Sequence, residues 1–543
     1  MLNRLSDHWI ALALVLYTLS ITIWLLVNGV RVTLEDGFYY FKIAQNIAQG
    51  AGSTFDGFNL TNGYHPLWLF SLVPLFWLTS APGTALALGI ALQAVFMAAT
   101  VVLLYYTARF SVGRFAASLA ALLWVLLTYP VFLGGLEFSL HALGLLVTAY
   151  VYLRWFAKES PQQPLPYLVL GLLLSLAFLT RLDTILLAGI IGWVLAWREL
   201  KGGLALMGIQ RLLALGLPVL LVCLVYGGAN LFLFGYLFPV SSFVKRTWSA
   251  YLLTQDPLYL KYGWLTAKAY HLLWPLRHLN QLFPLSLALG TFGAGTLWLF
   301  GAWGPRDGSW RDWLNQILQP WQPFVWFSLL NFLSYVLLYH QYLSFPAWYY
   351  VIQPCLTALL VAAFMDKCGR ELAQKAGPLL IRVRWLVLVG MIGVWCSVPL
   401  YTIWQLEQWR SGDYLGVSPQ PLYDGAQWIR ANLPADTVVG AWNAGAIGYL
   451  SERRVVNLDG LVNSWEYYQT ERYDLCRYWQ ETGITYVVDL FDHRAEPNQA
   501  VVPEPTYLHY AQCADRLELI WLDQRYVTSW WRLEVYKIRP LDD

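Results

Sequence analysis

Charge is scarce in this sequence. Asp, Glu, Lys and Arg make up 13% of the 543 residues and 58% of the residues are hydrophobic, whereas soluble domains carry roughly 25% charged residues. The net charge is +2, and no basic cluster of the kind that binds nucleic acid is present. The composition therefore excludes an ordinary soluble domain and predicts a polytopic α-helical membrane protein with no nucleic-acid partner.

Nucleotide and metal motifs are also missing. The chain has no G-x-x-x-x-G-K-S/T, no G-x-G-x-x-G after a strand, no G-x-S-x-G and no H-E-x-x-H. Its six cysteines include no C-x-x-C and no His/Cys group that suggests a structural metal. Cys476 and Cys513 are the two in the polar C-terminal part, where a disulfide and two free thiols are about equally expected.

Apolar runs of roughly the length that crosses a bilayer fill residues 1–405. They lie near 9–29, 66–80, 84–107, 115–133, 138–156, 165–180, 185–198, 212–234, 284–303, 322–340, 347–365 and 380–405. Lys and Arg collect between them, in the loops 108–114, 154–158, 198–211, 306–311 and 367–384. Because short cytoplasmic loops are rich in these residues, the loops predict which segments face the cytoplasm.

The apolar run at 66–80 does not fit the alternation of cytoplasmic and outer loops along the chain. It is short, begins with His65–Pro66 and contains Pro74. If it crossed the membrane, every later basic loop would face outward, against the positive-inside rule. We therefore interpret it as a helix in the outer interface, which places 31–83 outside and leaves about 11 transmembrane helices.

The composition changes after residue 405, where charged residues, Asn, Gln and Pro return. Short apolar segments predict buried strands at 437–442, 454–460, 484–490 and 531–538. Helices are predicted between them, at 444–451 and around 463–480. The chain thus divides into a transmembrane module, 1–405, and a small extracytoplasmic α/β domain, 406–543.

Three outer hairpins carry acids at one membrane face. These acids are Glu35, Asp36, Glu137 and Asp183. Each could instead be a solvated loop residue or a helix cap: Asp36 is placed to cap the helix that follows it, and Asp183 is placed to form a local ion pair with Arg181. Acids from separate hairpins at one leaflet nevertheless favour a shared site, because ionisable groups beside a membrane bundle are costly unless they are used.

Carboxylates at such a face suit three kinds of chemistry. They can take a proton from a hydroxyl nucleophile, hold a divalent cation (Mg, Mn or Ca) against a phosphate, or bind a transported ion. The ligands of a cation would be Asp36, Glu137 and Asp183. The basic partner of a phosphate would be Arg181 or the outer-loop pair Lys245 and Arg246, for which an interfacial anchor is an equally good interpretation.

Five stretches carry a resemblance to a known superfamily. They are EDGFYYFKIAQNIAQGAGSTFDG (35–57), TNGYHPLW (61–68), GGLE (134–137), TRLD (180–183) and NLDGLVN (457–463). With the order of outer loop, bundle and tail, they resemble the GT-C integral-membrane glycosyltransferases, and more closely a bacterial family-39-like group. The superfamily includes protein O-mannosyltransferases, lipid A aminoarabinose transferases and arabinofuranosyltransferases, and the resemblance implies a GT-C fold.

The resemblance also implies roles for single residues. An aspartate in the first outer loop is the proposed base of this superfamily. Setting the Tyr of the related pattern on Tyr40 puts that aspartate at Asp36, with Glu35 as an additional acid. Glu137 matches the acid of the second outer loop by position. Some members work without a metal, so the cation stays open.

The implied activity is that of an inverting glycosyltransferase of the cell envelope, acting in glycan biosynthesis. It would move a sugar from a polyprenyl-phosphate-linked donor to a hydroxyl of a glycan, lipid or protein at the outer face of the cytoplasmic membrane. Candidate sugar or isoprenoid contacts are Tyr39, Tyr40, Tyr64, Trp348 and Tyr349. His65 beside them is also a candidate substrate contact, although a structural loop residue before Pro66 is the favoured interpretation.

Two other functions stay open at this point. One is a transporter or flippase of a lipid-linked sugar, which is expected to show repeated halves and charges near the midplane. The sequence shows no repeat, and its charges lie at one face. The other is a non-catalytic cell-envelope assembly protein that keeps the fold.

Overall fold

A computed structural model describes most of the chain. The described residues are 2–27, 33–132, 134–203, 205–255, 257–266, 309–338, 349–376, 419–492, 513–523 and 531–540. The N-terminal part is a helical bundle. Its helices are α1 Leu2–Val27, α2 Glu35–Ala48, α3 Pro66–Leu78, α4 Pro82–Ala108, α5 Arg114–Phe132, α6 Phe138–Trp155, α7 Leu165–Thr180, α8 Ile185–Lys201, α9 Leu206–Phe234, α10 Val240–Gln255, α11 Pro257–Tyr262, α12 Ser309–Leu318, α13 Gln322–Leu338 and α14 Ile352–Ala376.

Two of the described helices, α4 and α9, are long and apolar enough to cross a membrane. A third span results if Asp312–Leu318 and α13, which meet at an 83° bend, form one broken crossing. Helix α3 measures about 20 Å, less than the ~30 Å hydrocarbon core. The predicted runs at 284–303 and 380–405 lie outside the described residues, so the number of about 11 crossings stays a prediction.

Helix α2 is held tightly at its start. Leu34 N–H donates to the Gly134 carbonyl at 2.9 Å, and a Cβ on Gly37 would collide with that carbonyl. The helix begins at Glu35, and its N-cap residue Leu34 provides no side-chain cap. Asp36 therefore lies inside the first turn, and the interpretation of Asp36 as the cap is wrong.

The C-terminal domain is a five-stranded sheet with helices beside it. The strands are β1 Val438–Ala441, β2 Arg454–Asn457, β3 Tyr486–Asp492, β4 Leu517–Leu522 and β5 Trp531–Ile538, and the helices are α15 Pro419–Asn432, α16 Ala444–Leu450, α17 Trp465–Gln469 and α18 Leu475–Thr482. The strand order is β2-β1-β3-β5-β4, with β1 parallel to β2 and β3, and β5 antiparallel to β3 and β4. This confirms the predicted α/β architecture and adds β4; the boundary at 405/406 lies outside the described residues.

Cys476 and Cys513 form a disulfide, with their Cα atoms 5.8 Å apart. The bond joins the first turn of α18 to the residue just before the short helix that precedes β4. Of the two equal expectations for these cysteines, the disulfide is the one that the structure adopts.

The domain is docked on the bundle through α16, which packs against α2. The ring of Tyr449 lies 5.9 Å from that of Phe38 and 5.8 Å from that of Phe41. Its hydroxyl donates to the Pro82 carbonyl at 2.7 Å. The helix that carries the acidic pair is therefore covered by the C-terminal domain.

Candidate active site

A cleft of about 570 Å³ lies where the bundle meets the C-terminal domain. Most of the residues that the sequence nominated line it. They are Asp36, Tyr39, Tyr40, Tyr64, His65, Glu137, Arg181, Lys245 and Tyr349. Leu461 and Val462 of the C-terminal domain also line the cleft, so the second domain completes its wall.

Asp36 faces a cation across this cleft. Its carboxylate lies 3.5 Å from the Lys245 ammonium, and the Asp36 side chain is 33% exposed. Lys245 also donates to the Tyr349 hydroxyl at 3.0 Å and lies 5.7 Å from the centre of that ring. Residues from α2, from α10 and from the segment before α14 thus meet at one point, and they place an accessible carboxylate beside an ammonium group.

Arg181 is the centre of a buried network. Its guanidinium donates to Glu137 at 2.6 Å, to Asp183 at 3.3 Å and to the Tyr335 hydroxyl at 2.8 Å. Its carbon Cζ also lies 4.9 Å from the centre of the Tyr349 ring. The expected local pair with Asp183 exists, but the buried partner from another hairpin, Glu137, is closer.

The two acids of this network are ionised. Burial raises the pKa values of both acids and is the largest single influence on each, but at Asp183 the charge of Arg181 and the hydrogen bonds from Tyr335 and Arg181 are among the effects that together outweigh it, and the pKa falls to about 2. At Glu137, likewise against burial, His65 and Arg181 hold the pKa below its ordinary value. Glu137 also accepts a hydrogen bond from Tyr40 at 3.1 Å. Both carboxylates serve as partners of Arg181 and neither is a good proton acceptor.

A second cavity of about 680 Å³ adjoins the cleft. Both cavities share a wall made of His65, Arg181, Lys245 and Tyr349. The second adds polar groups of its own, which are Asp183, Ser242 and Tyr335. The cationic side chains therefore stand where the two spaces join.

His65 is neutral near pH 7. Burial lowers its pKa to about 4, although Glu137 acts in the opposite direction. Its Nε2 atom lies 3.7 Å from Glu137, and its backbone N–H donates to the Tyr40 hydroxyl at 3.2 Å. His65 also lines both cavities, and its structural role beside Pro66 stays a prediction.

Glu35 points away from the cleft and into the domain interface. Its carboxylate accepts hydrogen bonds from the backbone N–H groups of Gly445 and Ala446, the latter at 3.2 Å. Burial raises its pKa to about 8, against the two amides, which lower it. Of the acidic pair, Glu35 holds α16 and Asp36 lines the cleft.

Two nominated residues lie outside this arrangement. Arg246 is exposed and is absent from the walls of both described cavities. Trp348 lies outside the described residues. Tyr64 lines the cleft, where its hydroxyl is 2.7 Å from that of Ser53.

The three carboxylates considered as cation ligands do not form one group. Glu137 and Asp183 both bind Arg181, and Asp36 is paired with Lys245. Among the residues that the structure describes, no three His, Cys, Asp or Glu side chains are arranged to hold a metal ion. The side chains of this site therefore do not fit a cation bound by Asp36, Glu137 and Asp183.

Sequence reasoning missed Asp459 of the C-terminal domain. It accepts a hydrogen bond from the Tyr39 hydroxyl at 3.2 Å. Burial raises its pKa to about 7, with further contributions that include the charge of Asp36. The stretch 457–463 was noticed only as a sequence resemblance, and the acid inside it had no visible partner along the chain.

Comparisons with known proteins place the fold. ArnT from Cupriavidus metallidurans, solved bound to undecaprenyl phosphate, is 12% identical, with 96% of this chain and 97% of that one covered and a TM-score of 0.52. The archaeal oligosaccharyltransferase AglB from Archaeoglobus fulgidus, solved with an inhibitory peptide and a dolichol-phosphate, is 13% identical, with 91% and 70% covered and a TM-score of 0.52.

Residues 413–536 match a family described as a domain of unknown function, DUF8728. No curated protein sequence matches the chain. The two structural likenesses nevertheless agree with each other, since both are to GT-C glycosyltransferases and both extend over nearly the whole chain. The chain therefore has the GT-C fold that its sequence motifs resemble.

Proposed function

We propose that this protein is an inverting glycosyltransferase that uses a polyprenyl-phosphate-linked sugar. The observation that carries the proposal is the cleft in which the Asp36 carboxylate and the Lys245 ammonium lie 3.5 Å apart. A glycosyl transfer of this kind needs a base for the attacking hydroxyl and positive charge for the departing phosphate.

The structural neighbours support the lipid-linked donor. ArnT was solved with undecaprenyl phosphate and AglB with a dolichol-phosphate. Both ligands are polyisoprenoid phosphates, and two exposed apolar helices of this chain, α3 and α9, would offer lipid-facing surface near the cleft. Phe70, Trp77, Leu78 and Phe232 are examples of large exposed side chains on these helices.

In the proposed reaction the acceptor hydroxyl loses its proton to Asp36. The oxygen of the acceptor hydroxyl attacks the anomeric carbon on the face opposite the phosphate and forms the new glycosidic bond. The old bond between that carbon and the phosphate oxygen breaks, and its electron pair leaves with the polyprenyl phosphate. Because phosphate is a good leaving group, no protein acid is needed to protonate it.

Lys245 is the better placed of the two cations for the leaving phosphate. Both terminal nitrogens of Arg181 already donate to Glu137, Asp183 or Tyr335, and the side chain is 2% exposed. Lys245 is 20% exposed and lies on the wall shared by both cavities. Lys245 then binds the phosphate directly, and Arg181 contributes its field from behind Tyr349.

We infer the side of the membrane from the basic loops and the disulfide. Lys and Arg gather in the loops that the predicted alternation of crossings puts on the side opposite Asp36, Glu137 and Asp183. The bond between Cys476 and Cys513 is the kind that forms in an oxidising compartment. Both support a multi-pass protein of the cytoplasmic membrane whose site and C-terminal domain face outward.

The test is transfer of label in isolated membranes. Membranes with and without the protein are incubated with radiolabelled polyprenyl-phospho-sugars, and label is followed into the lipid-free or acceptor fraction. Protein-dependent movement of label off the carrier, with inverted anomeric configuration in the product, is expected. Label that crosses the membrane but stays on its carrier would instead identify a flippase, and no movement with any donor would point to a non-catalytic protein.

A further inference from the structure

One side chain of the first outer loop joins that loop to the helix that carries Lys245. Asn62 is 4% exposed and lies at the boundary between α9 and α10. Its Nδ2 donates to Asn230 Oδ1 at 3.3 Å and to the Phe238 carbonyl at 3.1 Å. Its Oδ1 accepts from the Val240 backbone N–H at 2.9 Å. One amide group thereby contacts the end of α9, the connection and the first residue of α10.

The bond to Val240 matters most for α10. The first N–H groups of a helix have no partner within the helix, and Val240 is 2% exposed, so water cannot easily provide one. Asn62 supplies that acceptor from a loop that lies 178 positions earlier in the chain. Asn230 supports the same connection, because its Nδ2 donates to the Leu237 carbonyl at 3.3 Å.

The helix that is anchored in this way forms the shared wall of the two cavities. Pro239 and Ser241, which flank Val240, line both, and so does Lys245. The three residues that follow Asn62 in the chain, Gly63, Tyr64 and His65, also line the cleft. Asn62 itself is absent from the walls of both cavities, so its effect on the site passes through α10 or through the loop residues that follow it, and the contribution through α10 is the one that depends on Lys245.

We infer that Asn62 is a positioning residue that sets Lys245 at the junction of the two cavities, and thereby controls how tightly the site binds a polyprenyl phosphate. The inference rests on the proposed function, since it assigns the phosphate to Lys245. A positioning role differs from a merely structural role because the effect of Asn62 on polyprenyl phosphate binding is expected to depend on Lys245.

The experiment is a double-mutant cycle on binding. Binding of polyprenyl phosphate in detergent micelles is measured for the wild type, Asn62→Ala, Lys245→Ala and the double variant. We expect Asn62→Ala to weaken binding about tenfold, because the variant loses the three hydrogen bonds that place the start of α10. The double variant is expected to bind like Lys245→Ala alone, because both changes remove the same interaction.

Asn59→Ala is the matched control. Asn59 lies in the same loop, but its side chain binds Asp56 and the Tyr478 hydroxyl, at 2.7 and 3.1 Å, and not the start of α10. Its variant is expected to bind polyprenyl phosphate within about twofold of the wild type. If Asn62→Ala does not fold, Asn230→Ala, which removes one of the three bonds and keeps that to Val240, is expected to give a smaller loss with the same non-additivity.

Separate outcomes identify separate errors. Losses from Asn62→Ala and Lys245→Ala that simply add would mean that Asn62 acts on general stability, and the inference would be wrong. An unchanged affinity of Asn62→Ala, with a weakened Lys245→Ala, would also overturn it and leave the proposed function intact. If Lys245→Ala itself binds like the wild type, the phosphate site of the proposed function is wrong and this inference falls with it.

Discussion

The carboxylate of Asp36 lies 3.5 Å from the ammonium group of Lys245. Each residue is partly exposed to the cleft, and each comes from a different segment of the chain. A carboxylate that is paired with a cation becomes free to accept a proton once that cation binds a phosphate instead. This contact therefore suits a site in which the donor is bound before the acceptor hydroxyl is deprotonated.

Asp36→Asn tests the base. The amide keeps the size of the side chain but cannot take a proton, and a general base contributes about 10²- to 10⁴-fold to a rate. A fall in kcat within that range is expected, while affinity for polyprenyl phosphate stays close to wild type. Initial rates of label transfer at saturating donor measure it. Undiminished transfer would show that another group is the base.

Lys245→Met and Arg246→Met form a matched pair on α10. Lys245 faces both cavities, whereas Arg246 is exposed and absent from their walls. We expect the first change to raise the donor KM and lower kcat, together at least tenfold in kcat/KM. The second is expected to leave kcat/KM within about twofold. Equal effects would mean that the two residues act as a diffuse positive surface.

Glu35→Gln tests the pH dependence of the domain contact. Burial raises the Glu35 pKa to about 8 from an ordinary 4.5, so the folded protein holds more protons than the unfolded chain between those values. Stability from this group is therefore lost as the pH rises from 4.5 towards 8. Glutamine still accepts from Gly445 and Ala446, so the variant is expected to be more stable than the wild type at pH 8.

Thermal unfolding in detergent at pH 6.5 and 8 measures this difference. The fall in Tm between the two pH values is expected to be smaller in Glu35→Gln than in the wild type. It is not expected to vanish, because burial also raises the pKa of Asp459 to about 7. Glu481→Gln, at a side chain that is 53% exposed, is the control. If Tm falls between the two pH values as much in Glu35→Gln as in the wild type, the raised pKa of Glu35 is not the cause of the fall.

The disulfide is expected to stabilise the C-terminal domain. Its cysteines are 37 residues apart, and closing a loop of that size in the unfolded chain is worth roughly 3–4 kcal/mol in the chain-entropy model. The double change Cys476→Ser and Cys513→Ser should lower Tm with little effect on the transfer rate at low temperature. Mass spectrometry after alkylation, with and without reductant, checks the bond, and two alkylated thiols without reductant would disprove it.

A chelator tests the cation that the sequence left open. Because Asp36, Glu137 and Asp183 are each held by a protein cation, transfer is expected to stay within about twofold after EDTA treatment and removal of free metal. Full loss of transfer, with recovery on adding Mg, Mn or Ca, would show that these carboxylates rearrange around a metal ion during the reaction.

Much of the architecture could be predicted from local patterns. Runs of apolar residues predicted α4, α6 and α7 to within about two residues, and the apolar segment 531–538 predicted β5. Strand β4, LELIWL, was missed because it is a short apolar run with one polar residue and shows no alternation of apolar and polar positions.

The partners of the acids were harder to predict. The predicted topology placed Asp36, Glu137 and Arg181 at the same membrane face, and all three line the cleft. Apart from the spacing to Tyr40 in the resembled pattern, nothing along the chain distinguished Glu35 from Asp36, because the amides that bind Glu35 come from α16. Asn62 and Asp459 escaped notice for the same reason, since hydrogen bonds between distant segments leave no periodic trace in the sequence.

The bond between Glu35 and Ala446 joins residues 411 positions apart. During synthesis α2 emerges early, while α16 appears only when most of the chain has been made. Contacts of such long range form late in folding. A chain that ends before Leu461 and Val462 lacks the wall that these two residues provide. A nascent or truncated protein of that length therefore lacks the complete cleft.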